Sequence, residues 1–242
     1  IEGMQFILPR RFPLSWIERV HEHAYVDYLA DAGRRAGSGY VYPSVFPYQT
    51  DQHTNHEIGL RGQYSFDMYT PVSSTTYEAA RGSAMAALTA ASYVRRGERV
   101  AYALCRPPGH HAERSRMGGY CYFNNTAIAA EYLSTRGRVA ILDIDVHHGN
   151  GTQNIFYFRA DVFVVNIHAH PDTRFPYFTG RDNELGEGEG IGYNLNFPLP
   201  LASRDAVYHR ALQSALTRIR QFDPMYLVVS VGYDTHQDDP IG

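Results

Sequence analysis

Short apolar runs along the chain predict the strands of a buried sheet. Three of these runs cover residues 139–142, 162–167 and 225–231, and a fourth covers residues 99–104. A segment that is apolar at consecutive positions is typical of a strand covered on both faces, as in a parallel sheet. The runs therefore predict a parallel sheet with helices packed on both of its faces.

Amphipathic helices are predicted between these runs. Residues 79–96 follow Thr75 and Glu78, whose spacing is that of a capping box. Residues 205–222 carry a single apolar stripe, with Ser203 as the expected N-cap residue. Further helices are expected at residues 14–35, as one helix or two, at residues 123–135, and from about residue 151 to residue 158.

Strands that alternate with helices along a chain predict an α/β fold with right-handed crossover connections. The 242 residues suit one large domain with a sizeable core. No internal repeat or linker composition divides them. We therefore expect one α/β domain built on a parallel sheet.

The composition argues against two kinds of partner and indicates a compartment. The formal net charge is −3 at pH 7, so the chain has no basic field to hold nucleic acid or an anionic membrane. No run of 18 apolar residues is present, and the two cysteines, Cys105 and Cys121, form no CxxC motif. Two cysteines are too few for a secreted disulfide framework, so we expect a cytoplasmic protein.

Residues 37–59 form a segment with no helical or strand period, in which aromatic residues stand among glycines and prolines. A long irregular segment in a compact domain is usually functional or forms an interaction loop. The aromatic residues favour a partner surface or a substrate rim, although a loop folded over the core fits the same pattern. His53 and His56 have no carboxylates at ligand spacing, so they are interpreted as surface residues.

Carboxylates interrupt the apolar run of residues 139–142 at its end. Asp143, Asp145 and His147 are spaced two apart, so on a strand their side chains would leave one face together. Burying the carboxylates without partners would be costly. Ligands of open α/β sheets collect beyond the carboxyl ends of the strands, so we expect a cation site there. A salt-bridged strand end with a turn histidine is the structural alternative.

Three predicted strand ends bring polar side chains to the same rim of the sheet. These side chains are His110 and His111, then Asp145 and His147, and then Asp234. Two carboxylates and one imidazole leave coordination positions open on a divalent metal, as in catalytic sites. Water activated by the metal would be the nucleophile, and a nearby histidine would take its proton. Zn²⁺ is the expected ion, and the same ligands suit Fe²⁺ or Mn²⁺.

Four long motifs, in the same order, resemble those of the zinc-dependent histone deacetylase superfamily. They read RPPGHHA at residues 106–112, GGYCYFNN at 118–125, DIDVHHGNGTQ at 143–153 and GYDTHQDDP at 232–240. Within the superfamily, the chain looks most like the bacterial acetylpolyamine amidohydrolase branch. The resemblance implies an arginase/deacetylase-like fold with three layers. It also implies a hydrolase that removes acetyl groups from acetylated amines, with small acetylated amines ahead of acetyl-lysine.

The resemblance assigns metal ligands. Asp145, His147 and Asp234 match the zinc ligands of the family. The family also binds structural K⁺ or Na⁺ through backbone carbonyl groups. The resemblance places the first such site at Asp143, Asp145 and His147, and the second at Phe156, Arg159, Val162 and Tyr193. Asn166 stands where many members have serine, and this departure affects the first of the two sites.

The resemblance also assigns the residues that move protons. His110 and His111 match the tandem acid/base histidines, with His111 as the general base. Asp143 would orient His110, and Asn150 would orient His111. An asparagine in that position leaves its histidine less basic than a carboxylate would.

Three residues match the walls of the family's narrow acyl-lysine tunnel, and these are Gly119, Tyr120 and Phe175. Aromatic walls suit the methylene chain and the cationic end of an acetylated amine. In the acetylpolyamine branch, an inserted loop helps to form a dimer and narrows the active-site mouth. The resemblance therefore implies a homodimer formed through residues 37–59.

The resemblance further implies that residues 1–242 form one partial catalytic domain. The family's fold begins with a further strand region, and it continues past the matched motifs to a glycine-rich turn that carries a catalytic tyrosine in most members. Tyr233 belongs to a different motif and does not match that tyrosine. We therefore expect a catalytic domain in which both end regions are missing and activity is reduced.

Two other functions fit part of the pattern. The first is a non-catalytic module that binds a metal or an acyl ligand. The second is an arginase-like hydrolase with two Mn²⁺ ions, which would need further carboxylates to bridge the metals. The adjacent His110 and His111 stand where those ligands are expected, which disfavours the second alternative. One metal per chain would distinguish the deacetylase from it.

Overall fold

The structure, a computed structural model, describes residues 5–46 and 54–240. Its α-helices are α1 (Ser15–Glu18), α2 (His23–Ala36), α3 (Glu57–Gln63), α4 (Thr76–Arg95), α5 (Asn125–Ser134), α6 (Asn150–Phe156) and α7 (Asp205–Phe222). Its strands are β1 (Tyr40–Val41), β2 (Val72–Ser73), β3 (Val139–Asp143), β4 (Val162–Ala169), β5 (Asn194–Leu199) and β6 (Tyr226–Ser230). A short 3₁₀-helix covers Gly188–Gly190.

Four parallel strands form the central sheet in the order β5-β4-β3-β6. All five residues of β3 are buried, as its continuous apolar run predicted. The last residue of β3, Asp143, lies in register with Asn166 of β4 and Ser230 of β6. The parallel α/β architecture predicted from the apolar runs is confirmed, and the carboxyl ends of β3 and β6 lie side by side.

Two apolar clusters cover opposite faces of this sheet. On one face Val139 and Ile141 of β3 pack in a cluster with residues of α2, α4 and α5. On the other face Ala140 and Leu142 pack in a cluster with Ile219 and other residues of α7. Successive side chains of a strand point to opposite faces, so β3 joins both clusters. Helices therefore cover the sheet on both sides, which gives three layers.

Apart from α3, which was not predicted, the helices lie where the apolar periodicity predicted them, but two predicted caps are wrong. Thr75 occupies the N-cap position of α4 without a side-chain cap, and Thr76 instead accepts a hydrogen bond from Ser73 N at 2.9 Å. Ser203 donates to Pro200 O at 2.7 Å and does not cap α7. In both places the hydroxyl group stabilises the turn before the helix, a known competitor of capping.

The predicted strand at residues 99–104 is not part of a sheet. Its side chains alternate, with Val100, Tyr102 and Leu104 exposed and the residues between them partly buried. This alternation is that of an extended segment, but no strand of the described ranges forms a ladder with it. The apolar residues of this segment correctly predicted an extended conformation. They could not predict whether a neighbouring strand would pair with it.

The segment of residues 37–59 has more regular structure than its pattern indicated. Strand β1 pairs antiparallel with β2, and α3 begins inside the segment at Glu57. His56 is exposed, as predicted. The tip of the segment, with His53, lies outside the described residues.

Each described helix is too short or too polar to cross a lipid bilayer. Both cysteines are free, Cys121 being buried and Cys105 partly buried.

Candidate active site

The predicted metal ligands lie just beyond the end of β3. The sequence spacing had predicted that Asp143, Asp145 and His147 share one face of a strand, and this is wrong. The strand ends at Asp143, so Asp145 and His147 lie in the bend that follows it. The carboxylates themselves hold this turn. Asp143 Oδ1 accepts a hydrogen bond from Asp145 N at 3.2 Å, and Asp145 Oδ1 accepts one from His147 N at 2.8 Å.

Three ligand atoms, from Asp145, His147 and Asp234, lie within 4.8 Å of one another. His147 Nδ1 is 3.1 Å from Asp145 Oδ1 and 3.0 Å from Asp234 Oδ2. Burial lowers the pKa of His147, but hydrogen bonds to the two carboxylates outweigh this effect and raise it to about 9. Two carboxylates and an imidazole are a donor set that fits Zn²⁺ with an open position.

The end of β6 approaches this cluster closely. Asp234 Oδ1 accepts a hydrogen bond from Val146 N at 3.0 Å, which ties the two strand ends together. A Cβ atom added at Gly232 would lie 2.1 Å from Asp145 Oδ2. Only glycine leaves space there for the Asp145 carboxylate.

The two predicted acid/base histidines lie buried beside the cluster. His110 Nδ1 is 3.0 Å from Asp143 Oδ2, and His110 Nε2 is 3.9 Å from Asp145 Oδ2. His111 Nδ1 is 2.8 Å from Asn150 Oδ1. The two rings are 3.9 Å apart between centroids. The structure thus brings each histidine to the partner that the resemblance assigned to it.

The two histidines differ in protonation. Burial lowers the pKa of His110, but Asp143, Asp145 and Asp234 outweigh this effect and raise it to about 9. Burial, with the charge on His110, holds the pKa of His111 well below its usual value. His111 is therefore the neutral imidazole of the pair and the one able to accept a proton.

A buried polar scaffold supports the histidine loop. Asn124 caps α5 and donates from Nδ2 to Ala112 O at 3.1 Å. His21 Nε2 accepts a hydrogen bond from Asn124 N at 2.8 Å, and its Nδ1 lies 2.9 Å from Glu113 O. Because a carbonyl oxygen only accepts, Nδ1 of His21 carries the hydrogen. The apolar pattern around His21 gave no sign of this role.

We expect the protein to lose stability as the pH falls below about 6.5, because of His21. Burial lowers the pKa of its imidazole to about 4, whereas the unfolded chain keeps a value near 6.5. Between these pH values the unfolded state binds a proton that the folded state excludes. The free energy of unfolding is therefore undiminished above about 6.5 and falls by about 3 kcal/mol as the pH approaches 4.

Urea unfolding between pH 5 and pH 7.5 measures this dependence. His21→Gln is the matched variant, because its amide offers one donor and one acceptor in similar places without titrating. The variant should show a shallower dependence of unfolding free energy on pH. Identical pH dependence in both proteins would exclude His21 as the source.

Aromatic side chains surround the approach to the histidines. The Phe175 ring lies edge-on to His111 at 4.9 Å and nearly parallel to Phe66 at 6.1 Å between centroids. Gly119 has φ +56°, and a Cβ atom added there would lie 2.2 Å from His111 Cδ2. Tyr120 is 56% exposed at the rim. Of the three predicted wall residues, Gly119 and Phe175 thus lie against His111 and Tyr120 follows at the rim, while Phe66 adds a third aromatic ring by packing on Phe175.

Asp67 and Thr70 fix the glycine turn of this wall, and the sequence pattern indicated neither. The buried Asp67 carboxylate accepts hydrogen bonds from the backbone amides of Gly119 and Tyr69. Thr70 Oγ1 donates to Asp67 and accepts a hydrogen bond from Tyr120 N at 3.0 Å. An aspartate among aromatic residues was the available signal, because aspartate is buried only with partners.

A second polar network anchors the segment that carries Phe175. The Glu184 carboxylate accepts hydrogen bonds from Gly180 N at 2.9 Å and from Arg181 N at 3.0 Å. It also accepts one from Gln153 Nε2, on α6. The wall segment is therefore tied to the helix that follows the metal ligands.

The residues assigned to the two monovalent cation sites lie in two places. Asp143, Asp145 and His147 surround the turn after β3, and the remaining residues, Phe156, Arg159, Val162 and Tyr193, lie at the α6–β4 connection and before β5. Asn166 is buried at the first site, where its Oδ1 accepts a hydrogen bond from Gly149 N at 3.2 Å. Its Nδ2 is buried without a hydrogen-bond partner.

A metal-ligand cluster beside a buried histidine pair, at the carboxyl edge of a parallel sheet, defines a metal-dependent hydrolase site. Of this pair, His110 faces Asp143 and His111 faces Asn150. Comparison with known proteins identifies the class. The chain belongs to the histone deacetylase family, whose domain model matches residues 1–242.

Two curated relatives and one solved structure illustrate the similarity. Acetylpolyamine amidohydrolase 2 of Pseudomonas aeruginosa is 45% identical over 241 residues, covering 96% of this chain and 70% of the relative. The acetylpolyamine amidohydrolase of Mycoplana ramosa is 39% identical over 243 residues, covering 97% and 71%. The crystal structure of an acetylpolyamine aminohydrolase from Burkholderia pseudomallei superposes with a TM-score of 0.94 at 40% identity, covering 99% of this chain and 72% of that one. The predicted family, fold and deacetylase class are confirmed.

Proposed function

We propose that this protein is a zinc-dependent amidohydrolase that removes acetyl groups from small acetylated amines. The observation that carries the proposal is the convergence of Asp145, His147 and Asp234 within 4.8 Å, beside the buried pair His110 and His111. The names of the curated relatives support an acetylated polyamine as substrate, ahead of acetyl-lysine in protein.

The side chains around the ligand cluster account for the proton transfers of such a reaction. Zn²⁺ held by the three ligands would supply a Lewis acid that activates water and polarises the acetyl oxygen. His111 takes the proton of the attacking water and passes it to the amine as the C–N bond breaks. The positive charge of His110, fixed by Asp143, stabilises the negative charge that develops on the acetyl oxygen.

The aromatic wall fits the chemistry of the proposed substrate. Phe175 and Tyr120 offer apolar ring faces, and Gly119 lets the backbone approach His111 closely. A methylene chain binds such faces by the hydrophobic effect, and a distal ammonium group gains a cation–π contact. An acetylated polyamine presents both features.

Acetate release from acetylated putrescine and from an acetyl-lysine peptide, with the Zn²⁺-loaded protein, tests this function. We expect the polyamine to be hydrolysed faster, with activity lost on chelation and restored by Zn²⁺. Fe²⁺ and Mn²⁺ should be compared, because the ligands accept both. One metal per chain without hydrolysis would favour the non-catalytic binding module. Two metals per chain would favour the arginase-like hydrolase, although one three-residue cluster is found among the described residues.

We propose that K⁺ or Na⁺ also binds at the two monovalent sites. The second set supports this by position, because Phe156, Arg159 and Val162 follow one another through the α6–β4 connection. Tyr193 lies beside them, since its carbonyl oxygen accepts a hydrogen bond from Val164 N at 3.0 Å. The first set is altered by Asn166, whose Nδ2 donor cannot ligate a cation. Rotation of this amide would present its oxygen instead.

We further propose that residues 1–242 belong to a single catalytic domain and that the protein is cytoplasmic. The shared sheet of the two apolar clusters supports a single domain. The free cysteines Cys105 and Cys121 support a reducing compartment.

We propose that the segment of residues 37–59 contacts a second subunit and narrows access to the site. Tyr40 and Tyr42 are each 60% exposed, and Phe46 is 44% exposed. Exposed aromatic side chains of this kind are enriched at protein interfaces. A homodimer through this segment would exclude bulky protein substrates.

Shortening this segment between residues 44 and 56 should therefore convert the protein to a monomer. The same variant should gain activity on acetylated protein relative to acetylated polyamine, because the mouth of the site widens. Light scattering and the ratio of the two activities measure these effects. A monomer with the intact segment would remove the basis for this expectation.

A further inference from the structure

A carboxylate with no assigned role, that of Glu113, lies behind the amide of Asn150. Asn150 Nδ2 donates to Glu113 Oε1 at 3.1 Å and to the carbonyl oxygen of His111 at 3.4 Å. Asn150 and His111 are 5% and 4% exposed. These contacts form a continuous chain from Glu113 through Asn150 to the imidazole of His111.

The direction of donors and acceptors along this series of hydrogen bonds determines how the Asn150 amide is oriented. An amide has a donor nitrogen and an acceptor oxygen, whereas a carboxylate and a backbone carbonyl only accept. Glu113 Oε1 and His111 O can therefore bind only the nitrogen. The oxygen must face His111 Nδ1, from which it lies 2.8 Å. A rotated amide would place its oxygen against two acceptors.

The orientation of the amide in turn determines the tautomer of His111. Asn150 Oδ1 only accepts, so His111 Nδ1 must carry the hydrogen. A neutral imidazole has one N–H group, so the lone pair lies on Nε2. Nε2 is the atom that can take a proton from water in the site.

We propose that Glu113 is a positioning residue that selects the proton-accepting tautomer of His111 through Asn150. This inference rests on the deacetylase function proposed above. The backbone of Glu113 is itself held, because its nitrogen donates to Arg116 O at 2.9 Å and its carbonyl oxygen accepts from His21. The carboxylate is thus presented to Asn150 from a fixed position.

A role in anchoring the loop would also make Glu113 important, but it would not depend on the polarity of the chain. Four variants of the metal-loaded protein separate the two roles. Glu113→Met removes the acceptor and keeps the length of the side chain, and Glu113→Gln keeps one acceptor. Asn150→Asp places a second carboxylate opposite that of Glu113, so that two hydrogen-bond acceptors face each other. The double variant E113Q/N150D restores a donor and acceptor in reversed order.

We expect Glu113→Met and Asn150→Asp each to lower kcat for acetylated putrescine by about 10–100-fold, with KM changed by less than about threefold. Glu113→Gln should lose less than about threefold, because its amide oxygen still accepts from Asn150. The double variant should recover at least about tenfold over Asn150→Asp, since the glutamine amide nitrogen donates to the new carboxylate. Glu187→Met, at an exposed glutamate, is the control and should be unchanged.

The outcomes distinguish failure of this inference from failure of the proposed function. An active protein in which Glu113→Met has normal kcat overturns the inference. If kcat of the double variant is no higher than that of Asn150→Asp, Glu113 only anchors the loop, and the inference is overturned as well. If the unaltered protein hydrolyses no acetylated amine, the proposed function fails. In that case ¹⁵N NMR of His111 tests the tautomer. The inference is supported if Nδ1 carries the hydrogen in the unaltered protein and loses it in Glu113→Met. Any other pattern overturns the inference.

Discussion

Asp145→Ala and Asp234→Ala should each abolish stoichiometric binding of a divalent metal. Only His147 and one carboxylate would remain, because the three ligand atoms come from three residues. Asp234→Ala also releases Val146 N, to which the carboxylate is hydrogen-bonded at 3.0 Å. Loss of an outer partner of a ligand typically costs about 10–100-fold in metal affinity, and loss of a ligand costs more.

Elemental analysis of the purified variants measures this effect. Asp182→Ala is the matched control, because Asp182 is an exposed aspartate away from the cluster and its loss should leave one metal per chain. Circular dichroism verifies that each variant is folded. One metal per chain in either ligand variant would show that the ligand assignment is wrong.

His111→Ala should lower kcat for acetylated putrescine by about 10²–10⁴-fold while the metal content stays unchanged. The reason is that His111 is the neutral member of the buried pair, and its loss removes the proton acceptor without removing a ligand. His110 is the poorer proton acceptor, because against the effect of burial the neighbouring carboxylates, Asp143 first, raise its pKa to about 9.

Steady-state kinetics with metal analysis of the same sample measures this prediction. His209→Ala, at an exposed histidine of α7, is the control and should keep full activity. Loss of metal together with activity would assign His111 to metal binding. Unchanged kcat would show that another group accepts the proton.

Much of the fold followed from local pattern, because a long periodic or continuously apolar segment has few alternatives. Helix α7 begins and ends where its stripe predicted, β6 lies within its apolar run, and β3 extends one residue past its run, to Asp143. Strand β5 was missed because Asn194 and Asn196 interrupt the continuous apolar run by which the other buried strands were predicted. These amides are buried and donate to Gln153, a partner that the local sequence does not show.

The metal ligands could be inferred from strand ends and motifs, but their supporting residues could not. Glu113 contacts Asn150, which lies 37 residues further along the chain, and Asp67 contacts Gly119 across 52 residues. Such contacts depend on the packing of loops and carry no local period. The side chains that hold the catalytic geometry are therefore the part of the site that only the fold reveals.

The spacing of Phe66 and Phe175 bears on how a substrate enters. A methylene chain between two ring faces needs about 7–8 Å, twice the usual carbon–carbon contact distance, and these centroids are 6.1 Å apart. Phe66 packs against Gly118, where an added Cβ atom would come within 2.2 Å of its ring. One of the two rings must therefore move away from the other, or the methylene chain must pass along the outer face of Phe175. If a ring must move, its motion would limit the rate of substrate binding. The association rate would then measure how rigidly the segment that carries this ring is held.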